Sequence, residues 1–184
     1  MTKQAPSRAT TGKAKAPARA ARDSAVARDV RSSPLALDLD NYAVAYLTWI
    51  ANKISSSAST LYRERFGIGI TDWRIMALLA VEPWSPAGRI SEVIGFDKAV
   101  ISRSVAFMLD KGLVETRFHD NNQRRPFVAL THEGLALHDR IVVVAREREE
   151  FLLADLDPQE RKTVVKLLAR IHARAAQLGA ARDT

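Results

Sequence analysis

The stretch from residue 97 to residue 134, DKAVISRSVAFMLDKGLVETRFHDNNQRRPFVALTHEG, decides the fold that this sequence predicts. Asp97 is a favourable helix N-cap, because its carboxylate can accept hydrogen bonds from the free amides of the first turn. Gly112 can end the same helix in the left-handed conformation. Between these two residues, apolar side chains recur at helical spacing: Ile101, Val105, Met108 and Leu109. The stretch therefore predicts a short amphipathic helix that ends at Gly112.

A β-hairpin is predicted to follow this helix. The strand-like alternation involves Val114, Thr116 and Phe118 in the first strand, and Phe127 and Ala129 against Val128 and Leu130 in the second. A polar loop, HDNNQRR at 119–125, separates the strands and ends in two arginines. Either element alone occurs in many domains, and arginines in a loop are usually only solvated. The order of helix, tight junction and basic hairpin favours a winged helix-turn-helix that binds DNA.

The residues before 97 are expected to supply the other helices of such a unit. Ser85 and Pro86 are predicted to be the N-cap and the first residue of a short helix that ends at Gly95. Its apolar face consists of Ile90, Val93 and Ile94. Thr71 is predicted to cap an earlier helix that stops near Pro83. That helix carries Ile75, Met76, Leu78 and Leu79. Two helices joined by a tight glycine turn are the arrangement of a helix-turn-helix.

The candidates for DNA contact are polar residues on the second helix and in the hairpin. Those on the helix share the face opposite its apolar residues: Lys98, Ser102 and Arg103. Those in the wing are Asn122, Arg124 and Arg125. Hydrogen-bond donors on an exposed helix can contact base edges in the major groove. Arg124 is expected to enter the minor groove, and Arg125 to contact either a phosphate or the wing's own frame.

With these motifs, residues 38–178 resemble the MarR-type transcriptional regulators. The resemblance rests on FGIGITDWRIMALLA at 66–80, on DKAVISRSVAFMLDKGLV at 97–114 and on the wing. The wing residues that match the family pattern are Asp120, Arg124, Arg125, Leu130, Thr131 and Gly134. Asn121 replaces the family's proline, and Gln123 replaces an aspartate that commonly holds an arginine there. The resemblance thus leaves open how this wing is braced.

Three further long helices are predicted around the DNA-binding unit. They run from about 40 to 66, from Thr131 through Phe151, and from the capping box of Asp157, Pro158 and Glu160 to Gly179. In the resembling family such outer helices interlock between two subunits. A homodimer is therefore expected, with recognition helices about 34 Å apart on a palindromic operator. Burial in these helices is expected at Leu47, Ile50, Ile54, Leu61, Ile141, Val144, Phe151, Val164, Val165, Leu168 and Ile171.

The expected fold class is mainly α with a small β-hairpin wing. The expected domains are a disordered basic tail at 1–34, a winged helix-turn-helix domain at 71–130, and a helical dimerisation region at 35–70 and 131–184. The net charge of +7 is concentrated in the tail, which holds eight Lys/Arg and two Asp/Glu, against twenty and nineteen elsewhere. DNA binding must therefore come from local placement of charge. The tail either keeps the chain soluble or attracts phosphates.

Composition also excludes some classes of protein. The chain has no run of about twenty apolar residues and no apolar segment behind its first basic residues, so a cytoplasmic protein is expected. Cysteine is absent, which removes disulfides, thiolate metal sites and cysteine oxidation switches. The histidines show no metal-ligand spacing, and no glycine-rich phosphate loop or nucleophile elbow occurs. An enzyme, a metal and a cofactor are therefore not expected.

A ligand site is predicted on the first long helix. Tyr46, Trp49, Lys53 and Ser56 follow one another at steps of three or four residues, and Arg74 is a second candidate partner for a carboxylate. The alternative is that the aromatic residues belong to the core. In the resembling family small aromatic acids bind between the dimer helices and the DNA-binding lobe.

The recognition helix and the basic tail are similar to those of nicotinate-catabolism repressors, which implies an aromatic or pyridine carboxylate effector. The competing function is an architectural or protein-docking module that binds DNA without sequence preference.

Overall fold

A computed structural model of the chain describes residues 35–119 and 122–178, with side chains described outside 119–125. The described helices are α1 (Ala43–Phe66), α2 (Ile70–Leu79), α3 (Ala87–Ile94), α4 (Lys98–Asp110), α5 (His132–Leu152) and α6 (Pro158–Ala175). The described strands are β1 (Ser85–Pro86), β2 (Val114–His119) and β3 (Asn122–Leu130). The expected fold class is confirmed. The predicted basic tail at 1–34 lies outside the described residues.

The chain divides into two units, residues 1–49 and 50–184, so the boundary falls inside α1. In the described part of the first unit, a 3₁₀ turn at Leu39–Asn41 precedes α1. The Asp38 carboxylate caps this turn by accepting from the Asp40 amide. The second unit holds the sheet, the helix-turn-helix and the hydrophobic core.

The core of the second unit lies where α2 packs against α3, α4, α5 and β3. Its fully buried side chains are Ile75, Met76, Leu79, Ile90, Ile101, Met108, Val128 and Ile141. Every helix of the winged unit contributes to this list, because each presents its apolar stripe to the same space. Helix α4, the predicted recognition helix, is thus fixed in place by Ile101 and Met108 on its inner face.

The three strands form one antiparallel sheet in the order β1-β3-β2. Ser85 and Pro86 pair with Val128 and Phe127. On the other side of β3, Val114 pairs with Leu130 at the base of the hairpin. The central strand β3 therefore joins the hairpin to the segment that leads into α3.

Several helix ends are formed by the residues that the sequence indicated. Asp97 caps α4 by accepting from the Ala99 amide, and Gly95 and Gly112 have positive φ angles of 76° and 66°. The Asp157 carboxylate accepts from the Gln159 and Glu160 amides, and the Glu160 side chain accepts from the Asp157 amide, which completes the predicted capping box. These predictions are correct because each depends on a local hydrogen bond or a local backbone conformation.

Two predicted helix starts are wrong. Thr71 lies inside α2, which is capped at Gly69, whose amide donates to the Asp72 carboxylate. Ser85 and Pro86 form β1 instead of the first turn of α3, because β3 pairs with them. The Ser85 hydroxyl donates to the Glu82 carbonyl rather than accepting from a helix amide.

The predicted hairpin and the predicted burial pattern also need correction. The strand β3 begins at Asn122, so the segment 122–125 lies in a strand and the polar loop is shorter than expected. Val128, Ala129 and Leu130 are all buried, so β3 does not alternate there. On the predicted apolar face of α4, Leu109 is exposed, whereas Ile101, Val105 and Met108 are buried. The outer helices also expose residues that were expected to be buried, and the single chain leaves these uncovered: Ile50, Phe151, Val165, Leu168 and Ile171.

Candidate nucleic-acid interface

The turn between α3 and α4 is held by short-range hydrogen bonds. The left-handed Gly95 ends α3, and the Ser91 hydroxyl donates to the Phe96 carbonyl at 2.6 Å. Asp97 then caps α4 at once. The two helices are therefore joined by a rigid three-residue turn, as the helix-turn-helix prediction requires.

Helix α4 has one buried face and one free face. Ile101, Val105 and Met108 pack into the core, and Ser104 is buried beside them. The free face carries Lys98, Ser102 and Arg103, all exposed. The structure thus brings the three predicted helix candidates together on one surface, one turn apart or adjacent in sequence.

A buried polar contact ties α4 to α2. The Ser104 hydroxyl donates to one carboxylate oxygen of Asp72, whose other oxygen accepts from the Gly69 amide. Both oxygens of this buried side chain therefore have hydrogen-bond partners, which offsets the cost of burying a polar group. The contact fixes the rotation of α4 about its axis and with it the direction of its free face.

Arg74 forms a second link, from α2 to α1 and to the turn. One of its terminal nitrogens donates to the Ser55 hydroxyl at 2.7 Å. Its guanidinium carbon also lies 5.3 Å from the centroid of the Phe96 ring, within the range of a cation–π contact. Arg74 therefore touches both an outer helix and the residue that precedes the cap of the recognition helix.

Aromatic residues reinforce this junction of α1, α2 and α5. Trp73 meets Tyr62 edge to face, with ring centroids 5.9 Å apart, and stacks on His138 at 5.5 Å. Burial raises the pKa of the Tyr62 hydroxyl above its ordinary value, while the nearby Arg148 opposes this shift. Tyr62 thus serves as a neutral packing residue over the physiological pH range.

The predicted ligand residues are placed as follows. Tyr46 and Trp49 are both exposed and form an edge-to-face pair with centroids 5.8 Å apart. Lys53 and Ser56 are exposed on α1, whereas Arg74 is half-buried and bonded to Ser55. The interpretation of the aromatic pair as core is wrong for the single chain. A cavity of about 440 Å³ lies elsewhere, between α5 and α6, and Glu150, Arg161 and Lys166 are among the residues that line it.

The wing candidates can be followed only through their backbone. Asn122, Arg124 and Arg125 belong to β3, but their side chains fall outside the described part of the structure. Their contact with DNA remains a prediction. The base of the wing is well defined: the Thr131 hydroxyl donates to the Gly112 carbonyl and accepts from the Gly134 amide.

The sequence did not predict two contacts that support the candidate DNA interface. The Asp72–Ser104 contact joins residues 32 positions apart, and no periodicity predicts it. The guanidinium carbon of Arg117 lies 3.9 Å from the centroid of the Trp84 ring, and Trp84 has a positive φ of 58°. The available signal is a tryptophan between Pro83 and Ser85, in a segment where the sequence predicts only a helix cap.

Two other classes of feature do not occur within the described residues. No group of three or more His, Cys, Asp or Glu side chains there is arranged to hold a metal ion. None of the helices described combines the length and the apolar character needed to cross a membrane.

Comparison with known proteins identifies the family. A crystal structure of a MarR/EmrR family transcriptional regulator from Acinetobacter sp. ADP1 has 32% sequence identity and a TM-score of 0.70, over 77% of this chain and all of that one. The chain belongs to the MarR family of transcriptional regulators. Members of this family are DNA-binding winged-helix proteins, and dimerisation and ligand response are typical of them. The nicotinate-catabolism subgroup is not established by this match.

Two more distant proteins are consistent with this assignment. The HTH-type transcriptional regulator BilQ from Clostridium symbiosum is 23% identical over 113 residues, which are 61% of this chain and 77% of BilQ. The MepR–DNA complex of S. aureus has 17% identity and a TM-score of 0.63, over 74% of this chain and 98% of MepR. At 17% identity, the similarity to MepR supports the fold alone. No protein-family model matches the sequence.

Proposed function

We propose that this MarR-family protein is a dimeric repressor that binds a palindromic operator and is released by a small aromatic carboxylate. The observation that supports this most strongly is the free face of α4. Lys98, Ser102 and Arg103 are exposed on a helix whose opposite face is locked into the core. Rigid presentation of donors is what direct contact with base edges needs.

The proposed DNA interface has two parts. Helix α4 enters the major groove, while Asn122, Arg124 and Arg125 of the wing contact the adjacent minor groove and backbone. Arg103 is the residue with the strongest donor set on the helix, because its guanidinium can bond a guanine at two positions. Arg124 supplies minor-groove contact, and Arg125 a phosphate contact or support for the wing.

The proposal assigns DNA binding and dimerisation to different parts of the chain. Residues 71–130 bind DNA, and residues 35–70 and 131–184 dimerise. Helix α6 supports this division, because none of its residues is buried in the single chain although Val165, Leu168 and Ile171 are apolar. An apolar stripe of this kind on a surface helix needs a partner, which a second copy supplies.

The proposed effector site includes Arg74. A ligand carboxylate would bond its guanidinium, with Lys53 and Ser56 as further polar partners. Tyr46 and Trp49 stay the predicted candidates for ring stacking. A hydroxylated pyridine carboxylate is the first choice among aromatic acids. Arg74 also contacts Phe96 in the turn before α4, so a ligand that draws Arg74 away would disturb the recognition helix.

The deciding experiment measures sequence-specific binding. A duplex selected from a random library by the purified protein is compared with a scrambled duplex by fluorescence anisotropy at several salt concentrations. Arg103→Ala is expected to weaken binding to the selected duplex by about 1–3 kcal/mol and to relax preference at one position. Arg124→Ala is expected to weaken it and to lower the salt slope by about one for each phosphate that is no longer neutralised.

The control is Arg63→Ala, which removes an exposed arginine from α1 and should leave binding unchanged. Equal affinity of the wild type for selected and scrambled duplexes, with a steep salt dependence, would reject the repressor. That result would favour the non-specific architectural module instead.

A further inference from the structure

Trp84 holds an unusual backbone conformation. Its φ angle is positive, at 58°. Among the residues that the structure describes, Trp84 is the one non-glycine residue with a positive φ. Bulky side chains rarely adopt this region, because the Cβ approaches the neighbouring carbonyl. A conformation of this kind persists only where surrounding contacts hold it, and it frequently marks a functional part of a protein.

The contact that holds Trp84 comes from the wing. The Arg117 guanidinium carbon lies 3.9 Å from the centroid of the indole ring, which is a close stacking distance. Arg117 lies on β2, whereas Trp84 immediately precedes β1. In the sheet order β1-β3-β2 these strands are not neighbours, so the contact reaches across β3.

The sheet register shows where the contact crosses. Arg117 pairs with Phe127, and Phe127 pairs with Pro86. The strand β1 has only two residues, and its proline has no amide to donate to the ladder. The backbone therefore attaches β1 weakly, and the stacked side chains supply an additional tie between the two outer strands.

The same segment leads directly into the helix-turn-helix. Pro86 is the N-cap of α3, so Trp84 lies two residues before the cap of the first helix of this motif. Its turn is held on the other side as well, since the Arg89 side chain of α3 bonds the Glu82 carboxylate and Ser85 bonds the Glu82 carbonyl. A tie from β2 to Trp84 therefore fixes the wing relative to α3 and α4.

We infer that the Trp84–Arg117 stack positions the wing for DNA binding, and that Arg117 acts through Trp84 rather than as a free cation for phosphate. This inference rests on the proposed function, because it assigns a role in operator binding. The stack couples the hairpin to the frame of the recognition helix, so that wing and helix engage neighbouring grooves together.

The test distinguishes a stacking role of Arg117 from a phosphate-binding role, because only stacking needs the planar guanidinium and the indole ring. Arg117→Lys keeps the charge but removes the planar group that stacks, and Trp84→Leu keeps an apolar side chain but removes the ring. Each variant is expected to lower affinity for the selected duplex by about two- to fivefold, which corresponds to the roughly 0.5–1 kcal/mol of a cation–π contact at an exposed site. The double variant should be no weaker than either single one, because the same stack is absent from all three proteins. The salt slope should not change.

A phosphate role for Arg117 predicts the opposite pattern. Arg117→Lys would then bind normally, Arg117→Ala would lower the salt slope by about one, and Trp84→Leu would have no effect. Any of these results overturns the inference. Arg63→Lys, at an exposed site of α1, is the matched control for the exchange of arginine for lysine.

A second measurement works without DNA and separates this inference from the proposed function. Ring-current shifts of the Arg117 side-chain protons report the stack in solution, and residual dipolar couplings of β2 and β3 amides report the wing orientation relative to α3 and α4. Trp84→Leu should abolish the upfield shifts, and Arg117→Lys should alter the couplings while the protein stays folded. Unchanged couplings in Arg117→Lys reject the positioning role even if the protein binds no operator.

Discussion

At the scale of single residues, the base of the wing depends on a missing side chain. A Cβ built at Gly134 would overlap the carbonyl oxygen of Leu113, because the first turn of α5 passes directly over the turn before β2. The Thr131 amide and hydroxyl bond the Leu113 and Gly112 carbonyls at the same point. Helix α5 and the hairpin are therefore locked together through backbone contacts that tolerate no added atom.

Gly134→Ala is expected to lower the free energy of unfolding by about 1–3 kcal/mol or more, since backbone must move to admit the methyl group. The measurement is urea denaturation followed by circular dichroism. The matched control is Gly88→Ala, where a Cβ meets no atom within 4 Å on α3. That change should leave stability unchanged or raise it by less than about 1 kcal/mol, because Gly88 lies in the first turn of the helix, where propensity counts less than in the interior. Equal effects at the two glycines would contradict this account.

At the scale of elements, the local signals in the sequence are sufficient for most helix ends. Asp97, Gly95 and Gly112 act through hydrogen bonds or dihedral angles within a few residues, so the sequence around them contains the whole cause. Thr71 is misleading because Asp72 supplies a better cap from inside α2, by bonding back to the Gly69 amide. Ser85 is misleading because β3, which is distant in sequence, pairs with it.

The candidate DNA interface likewise has features that the sequence predicts and features that it does not. The exposed face of α4 is predictable, because helical periodicity separates Lys98, Ser102 and Arg103 from the apolar residues. The links that orient this face are not, since Arg74–Ser55 and Trp84–Arg117 join residues that only the tertiary fold brings together. Leu109 shows the limit of periodicity, because the apolar stripe includes one residue more than the core can accommodate.

The segment between α2 and α3 gives a prediction about pH. The Arg89 guanidinium bonds both carboxylate oxygens of Glu82 at 3.1 Å, and this hydrogen bonding lowers the pKa of Glu82 below its ordinary value. A depressed pKa in the folded state stabilises the fold above the ordinary carboxyl range. That contribution is lost as the pH falls through the lowered pKa.

Arg89→Gln is therefore expected to flatten the decline of stability on the acid side. The measurement is the melting temperature of wild type and variant between neutral and acid pH. Because the Glu82 side chain is 40% exposed, the difference should be small and should shrink further in high salt. Parallel curves for the two proteins over the whole range would show that the ion pair contributes nothing.

At the scale of the whole molecule, the outer helices α5 and α6 carry apolar residues that the single chain leaves exposed. Phe151 of α5 and Leu168 of α6 are exposed, whereas the hydrophobic core around α2 is buried within the single chain. Leu168→Glu is expected to place an unpaired charge in the proposed dimer interface and to shift the protein to monomers in sedimentation experiments. Operator affinity should fall as well, because one recognition helix cannot span two half-sites.

Arg170→Glu also places a glutamate on α6, at an exposed polar position, and it changes the net charge by two units rather than one, so it is a stringent control for the effect of charge alone. It should remain dimeric and bind the operator as the wild type does. A Leu168→Glu protein that is still dimeric would exclude this face of α6 from the interface. A Leu168→Glu monomer that binds operator at full strength would separate dimerisation from DNA binding.

The proposed control by a ligand would act through contacts that connect the outer helices with α4, and Arg74 makes such a contact. It bonds Ser55 of α1 and faces Phe96 in the turn before the recognition helix. Isothermal titration of pyridine and benzene carboxylates is expected to detect binding that operator DNA weakens about 5–150-fold, since linkage makes the coupling of about 1–3 kcal/mol reciprocal. Arg74→Gln should remove ligand binding, whereas Arg140→Gln, next to Phe66, should keep it. Ligand heats that are identical with and without operator would reject allosteric release, because a ligand shifts an equilibrium only by its differential affinity for the two states.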